Sequence, residues 1–205
     1  MKETIIFDFG NVIANFDNKI FLNYLAGYSK HNPKELERII YQESTLPYVY
    51  ERGIISSKEF YKGIVERTKS SISKEKLSEI YSQIFTPIPE NIELIRNLKS
   101  NGYRIGLLSN TSEWDYELGI KPIFKRSNLK FDFEILSYLS NSMKPDKKIY
   151  EDALSNSTNS QIYIDDIRNY VDVAESLGMK GVWYEGHEDL KFKFKKLGIQ
   201  FQKQD

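Results

Sequence analysis

Thr4-Ile5-Ile6-Phe7-Asp8-Phe9-Gly10-Asn11 sets a short apolar, β-prone run directly against turn chemistry. A continuous apolar run bounded by turn residues suits a strand of a parallel sheet buried on both faces. The pattern returns at Arg104-Ile105-Gly106-Leu107-Leu108-Ser109 and at Gln161-Ile162-Tyr163-Ile164-Asp165. Weaker versions lie at Phe133-Glu134-Ile135-Leu136-Ser137 and Gly181-Val182-Trp183-Tyr184. Helical periods separate them: Ile92, Ile95 and Leu98, ended by Gly102; Ile149, Ala153 and Leu154; and Tyr170, Val173, Ala174 and Leu177, closed by Gly178. Strands alternating with helices predict an α/β fold, a doubly wound parallel sheet.

Residues 16–88 follow another rule. Asn32-Pro33-Lys34-Glu35 reads as an N-cap, a proline at N1 and a glutamate at N3, and Ser56 with Glu59 repeats the signal. Leu77, Ile80 and Ile84 mark one more amphipathic helix, and no strand run interrupts the segment. It ends at Thr86-Pro87-Ile88-Pro89, a stiff, non-helical joint. The expected organisation is a core of residues 1–15 and 89–205, with an all-helical insertion over 16–88.

Composition narrows the chemistry. The 205 residues carry 29 basic and 29 acidic side chains, which removes the electrostatic argument for a nucleic-acid or anionic-membrane partner. The insertion, with 11 basic and 9 acidic residues, is no more polarised. No cysteine means no disulfide frame, thiolate metal site or cysteine nucleophile. His31 and His187 are the two histidines, and both read as solvated surface residues. Asp8 interrupts any apolar leader, and no stretch approaches the ~18 apolar residues of a membrane span. A soluble, cytoplasmic protein is expected. Lys191, Lys193, Lys195 and Lys196 interleave with Phe192 and Phe194, but Leu190, Phe194 and Leu197 at helical spacing make this an amphipathic final helix.

Ligands of open parallel sheets bind beyond the carboxyl ends of the strands. Four groups fall there: Asp8, Ser109-Asn110-Thr111, Lys144-Pro145 ahead of a helix, and Asp165-Asp166. Singly, the first three read as a turn cap, helix-capping chemistry and a surface lysine. The adjacent acids repel one another unless a cation or donor compensates. One carboxylate facing an acid pair suits a hard divalent cation such as Mg²⁺. A hydroxyl and an ammonium nearby suit a phosphate. A strand-end carboxylate can then attack phosphorus and form an aspartyl-phosphate that water hydrolyses.

These motifs, in this order and with the helical insertion, resemble the haloacid dehalogenase superfamily of phosphohydrolases, over nearly the whole chain. Phe7-Asp8-Phe9-Gly10-Asn11-Val12-Ile13, Leu108-Ser109-Asn110-Thr111, Met143-Lys144-Pro145-Asp146-Lys147-Lys148-Ile149-Tyr150 and Ile164-Asp165-Asp166-Ile167-Arg168-Asn169 look like a bacterial branch of sugar-phosphate phosphatases. Glu51-Arg52-Gly53-Ile54-Ile55-Ser56 does so as well. The resemblance implies a Rossmann-like core and a Mg²⁺-dependent phosphatase of a small phosphorylated metabolite. Asp8 would be nucleophile and metal ligand, with the Gly10 carbonyl, Asp165 and Asp166 completing the metal site. Ser109 and the amides at Asn110 would hold the phosphoryl group, Lys144 would neutralise it together with Asp8, and residues 16–88 would be a mobile cap.

Two positions depart from the family's pattern. Gly10 stands where such phosphatases usually place a second aspartate, a general acid typically worth ~10²–10⁴-fold. The sugar-phosphate branch also has glycine there, and an anomeric phosphate leaves more easily than a simple alkyl phosphate, which fits a weakened acid. Asn15 and Asp17 are candidates for ordering a water near the gap. Tyr170 stands where the family often has asparagine, and its neighbour Asn169 is a candidate to substitute. In the insertion, Tyr48, Tyr50, Glu51 and Arg52 read as a loop-like stretch able to meet a sugar. Two alternatives stand beside this reading: a metal-independent dehalogenase in which Asp8 attacks carbon, and a non-catalytic phosphate-binding protein. The substrate's identity, the oligomeric state and the pathway are not readable from the sequence.

Overall fold

A computed structural model describes residues 2–158 and 160–201. Five parallel strands form the sheet: β1 (Thr4–Phe7), β4 (Arg104–Ser109), β5 (Phe133–Leu136), β6 (Gln161–Asp165) and β7 (Lys180–Trp183), in the order β5-β4-β1-β6-β7. The chain builds outward from β1 through β4 to β5, then crosses to β6 and β7 on the other side. The switch point lies between β1 and β6, and open α/β sheets bind ligands beside such a point. Three strands coincide with the apolar runs. At β5 the run overreaches, because Ser137 opens the next helix, α8 (Ser137–Ser140), and β7 begins one residue early.

Alternation along the strands divides the core between the two faces of the sheet. Ile5 and Phe7 pack on one side with Ile105, Leu107, Ile162 and Ile164. That side is covered by α6 (Pro89–Ser100), α7 (Lys121–Arg126) and α11 (His187–Lys196), the last burying Leu190 and Phe194. Ile6, Leu108 and Tyr163 face the other way, against α9 (Lys147–Ser155) and α10 (Arg168–Ser176). Both sheet faces are therefore dry, as near-continuous apolar strands require.

Between β1 and β4 the chain leaves the sheet through β2 (Ala14–Phe16) and returns through β3 (Phe85–Pro87), which pair antiparallel. The joint expected at Thr86–Pro89 is thus partly a strand, and Pro89 is the first residue of α6. Five helices lie between: α1 (Asn18–Ala26), α2 (Pro33–Glu37, continuing as a π-helical turn to Gln42), α3 (Leu46–Glu51), α4 (Ser57–Thr68) and α5 (Lys74–Ser82). Asn32 with Glu35, and Ser56 with Glu59, form the capping boxes their spacing predicts. The stretch read as a loop at Tyr48–Arg52 is instead α3 and its C-cap. Pro47 in its first turn initiates this helix, where a missing N–H costs nothing.

The helical block has its own apolar cluster, and Trp114, from the segment after β4, is buried within it. Tyr50 stacks on Phe60 at 4.2 Å, and the Trp114 ring meets Tyr50, Phe60 and Tyr81 edge-on at 5.8, 5.5 and 6.0 Å. Such aromatic pairs add about 0.5–1.5 kcal/mol each beyond simple burial. Polar contacts reinforce the junction: Arg52 pairs with Asp146 at 2.6 Å, and the Ser137 hydroxyl donates to the Glu51 carbonyl at 2.6 Å. Gly53, at φ +72°, runs so close to the Tyr138 carbonyl that a Cβ would sit 2.1 Å from its oxygen. Only glycine fits this crossing.

Candidate active site

Asp8, Gly10, Ser109, Asn110, Lys144 and Asp166 line one cavity of about 310 Å³ beyond the carboxyl ends of β1, β4 and β6. Such a volume suits a small metabolite. Asp165, fully buried, lies behind this wall. Lys144 Nζ donates to Asp8 Oδ1 and to Asp165 Oδ2, each at 2.7 Å, so one ammonium joins the ends of adjacent strands. Burial works against its charge, but the two carboxylates outweigh that and hold Lys144 above its ordinary pKa. Burial pushes Asp8 up, to about 7, against the pull of Lys144. Burial raises Asp166 as well, while a hydrogen bond from Asn11 opposes the shift.

Asn11 adopts φ 54°, and its amide donates to Asp166 Oδ2 at 2.9 Å. The left-handed turn after β1 thereby carries a side chain across to the end of β6. Asp165 spends both oxygens within the protein. Oδ2 also accepts from the Tyr163 hydroxyl, and Oδ1 accepts the Ile167 N–H at 2.8 Å. The Asn110 side chain clamps the Lys144 backbone, accepting its N–H at 2.8 Å and donating to its carbonyl at 3.0 Å. Tyr170, whose ring centroid lies 5.1 Å from Lys144 Nζ, walls the ammonium from the side.

Asp8, Asp165 and Asp166 each offer an oxygen within 4.8 Å of the others. The donors are hard carboxylate oxygens with a half-exposed cavity side at Asp166, a set that fits a Mg²⁺-sized ion keeping several waters. Asp8 and Asp166 face the cavity, while both oxygens of Asp165 already accept hydrogen bonds from Lys144, Tyr163 and the Ile167 N–H.

The same cavity is lined by a second polar group: Glu51 from the end of α3, Asp115, Tyr41 and Tyr81. Asp115 opens a π-helical segment (Asp115–Ile120). Its Oδ2 accepts the Ser112 hydroxyl at 2.8 Å. Burial drives Asp115 up to about 8, with Glu51 adding repulsion, and burial drives Glu51 up to about 7.

Comparison with known proteins identifies the family. Residues 5–184 match the model of the haloacid dehalogenase-like hydrolase family. The chain belongs to that family. It is 25% identical over 193 residues to a D-ribitol-5-phosphate phosphatase of Bacteroides thetaiotaomicron, covering 88% of this chain and 90% of the relative. A predicted HAD-like hydrolase from Porphyromonas gingivalis superposes with a TM-score of 0.80 at 21% identity, covering 98% of this chain and 99% of that one. A HAD-family enzyme from Bacteroides thetaiotaomicron, solved with magnesium and inorganic phosphate, superposes with a TM-score of 0.78 at 22% identity, covering 94% of this chain and 98% of that one.

Several expectations for the hydrolase's site need correction. Asn15 and Asp17 do not line the cavity; Asn15 lies exposed on β2, and Asp17 caps α1 by accepting the Lys19 N–H. At Gly10 the ring of Phe16 packs closely beside the place of a side chain, 3.3 Å from an ideal Cβ. Asn169 is exposed and leaves the cavity to Tyr170. Of Tyr48, Tyr50, Glu51 and Arg52, Glu51 reaches the cavity; Tyr48 is half exposed, Tyr50 is buried in the helical block, and Arg52 pairs with Asp146. His187 is only partly exposed. Its Nδ1 lies 2.7 Å from Asn91 Oδ1, and Asn91 binds the Val12 carbonyl and the Tyr184 hydroxyl, so burial lowers the imidazole's pKa. His31 lies at the surface, 3.8 Å from Glu35. No helix among the described residues is long and apolar enough to cross a membrane.

The raised carboxyls of the hydrolase give a stability prediction. Unfolded carboxyls ionise near pH ~4, whereas folded Asp115 keeps its proton to about 8 and Glu51 to about 7. Between these limits the folded state binds more protons, so stability falls as pH rises. Asp115→Asn removes its part of that decline. Melting temperatures at pH 4 and pH 8 should show the variant gaining several degrees on the wild type at the higher pH; parallel curves contradict the assignment.

Proposed function

We propose that this chain is a Mg²⁺-dependent phosphatase of a small phosphorylated metabolite, working through an aspartyl-phosphate on Asp8. The observation that carries the reading is Lys144 bonded to both Asp8 and Asp165 beside the three-carboxylate cluster. A buried nucleophile, a fixed cation and a cluster suited to a metal are what attack on a phosphate dianion demands. The phosphatase name of a relative matched over most of both chains, and the magnesium and phosphate of a structural neighbour, support it.

Asp8, Asp166 and the Gly10 carbonyl would hold the ion, which when bound offsets the charge of phosphate and carboxylates and polarises the phosphoryl oxygens. A carboxylate oxygen of Asp8 forms the new bond to phosphorus as the ester bond breaks. Lys144 orients that carboxylate, and the Ser109 hydroxyl with the amides at Asn110 receives the phosphoryl oxygens. Water then attacks phosphorus and restores the free carboxylate. Gly10 carries no acid, so the leaving alcohol takes its proton from water, which favours leaving groups that depart as weak bases. Residues 16–88 act as the cap, placing Glu51, Tyr41 and Tyr81 over the substrate and excluding bulk water. Residues 1–15 and 89–205 form the core that holds Asp8, Lys144 and the acids.

A screen over sugar phosphates, aryl phosphates and nucleotides tests this, with Mg²⁺ and with EDTA. Phosphate release that needs Mg²⁺ is the expected result. Chloride released from 2-haloacids in EDTA would instead establish the dehalogenase, for which the acid cluster has no use. Ligand binding without turnover across the panel would establish a non-catalytic binder.

A further inference from the structure

Away from the nucleophile's end, the cavity is lined by two further carboxyls, Asp115 and Glu51. Asp115 is more than nine-tenths buried, and its Oδ1 has no hydrogen-bond partner among the described residues. Oδ2 is satisfied by Ser112, so the orphan is one specific oxygen on a cavity-lining side chain. A buried acceptor without a partner is costly, and a hydroxyl brought into the cavity is one way to supply it. Glu51 lines the same cavity from the helical block, close enough to Asp115 for the two carboxyls to repel one another. The π-helical segment that Asp115 opens is a local irregularity of the kind that clusters at functional sites.

We infer that Asp115 and Glu51 form a hydroxyl-binding subsite that selects phosphates whose leaving group is a polyol or sugar. The inference rests on the phosphatase reading and assigns the specificity of that same site. One carboxyl comes from the core segment after β4 and the other from the helical block, so a leaving group held between them is gripped from both sides. Burial raises both carboxyls, Asp115 to about 8 and Glu51 to about 7, so Asp115 in its protonated form offers an O–H donor and an acceptor oxygen while Glu51 exchanges its proton near neutrality. A neutral carboxyl matches an alcohol, which also donates and accepts, and does not repel the phosphate. An aryl or alkyl leaving group brings no hydroxyl to Asp115 Oδ1 or to Glu51, and sites built for a hydroxyl reject analogues that lack one.

The test compares glucose 1-phosphate with phenyl phosphate in wild type, Asp115→Leu, Glu51→Leu, Asp115→Asn and Glu51→Gln. The readout is the ratio of kcat/KM for the two substrates. Each leucine variant should lower the wild-type ratio by about 30-fold or more, whereas the amides, which keep a neutral donor and acceptor, should stay within about fivefold. A ratio unchanged in both leucine variants overturns the subsite, as does a wild type with no preference for the sugar. If the wild type hydrolyses neither substrate, it is the phosphatase reading that has failed. Calorimetric titration of the same proteins with the two phosphates then reads the preference without turnover. A sugar preference lost in Asp115→Leu supports the subsite; one that is absent, or that survives, overturns it.

Discussion

Asp8→Asn abolishes phosphate release, by about 10⁴-fold or more, while leaving the fold intact. The variant keeps an amide oxygen to accept from Lys144, and the Lys144–Asp165 bond at 2.7 Å is untouched. Shape and volume are conserved, so no cavity opens beneath β1. What disappears is the one oxygen nucleophile placed at the end of that strand. The amide is a poor nucleophile toward phosphorus, and no neighbouring group replaces it, since Asp165 has both oxygens committed to Lys144, Tyr163 and the Ile167 N–H. Equal residual rates in wild type and variant, measured as phosphate release in Mg²⁺, contradict the account.

Lys144→Met gives the second large effect, on stability and turnover together. Lys144 is 4% exposed and is the cation between two buried carboxylates. Removing one partner of such a cluster costs about 3–5 kcal/mol, because the remaining charges stay buried without compensation. For a chain of this size that lowers Tm by roughly 10 °C. Activity should fall by about 10³-fold even at temperatures where the variant is folded, since the phosphate loses its fixed counter-charge and Asp8 loses its orientation. Thermal melts and phosphate release measured on one preparation check both. A variant with wild-type Tm shows that Lys144 is not the keystone of the site.

The sequence reveals those parts of this protein that depend on short-range pattern. Thr4–Phe7, Arg104–Ser109 and Gln161–Asp165 were readable because unbroken apolar runs stop at turn residues, and their ends place Asp8, Ser109 and Asp165 on one edge of the sheet. The ribbon of β2 and β3 was not readable. Three residues on each side carry no periodicity, and the pairing joins segments some seventy positions apart. Helix α3 was hidden by its tyrosines, although Pro47 in a first turn was the available signal.

In the site, chemistry was legible where charge of one sign collects or opposes itself, as at Asp165-Asp166 against Lys144. Asn11 was missed because its role depends on a left-handed backbone that aims it at Asp166. Asp115 was missed because its surroundings, Ser-Glu-Trp-Asp-Tyr, resemble an ordinary helix start; its meaning comes from the helical block folding over it. His187 was misread because the amide that buries it, Asn91, lies on another helix. Burial by remote segments is the information that local pattern lacks.

The central claim is a covalent bond between Asp8 and phosphorus. Wild type and Asp8→Asn should be mixed with a hydrolysable phosphate and Mg²⁺, quenched in acid within the first turnover, digested and weighed by mass spectrometry. The wild-type peptide containing Asp8 should gain the mass of one phosphoryl group and lose it to hydroxylamine, while the variant peptide gains nothing. A wild type that releases phosphate with no phosphoryl group on Asp8, or with one on another residue, contradicts it.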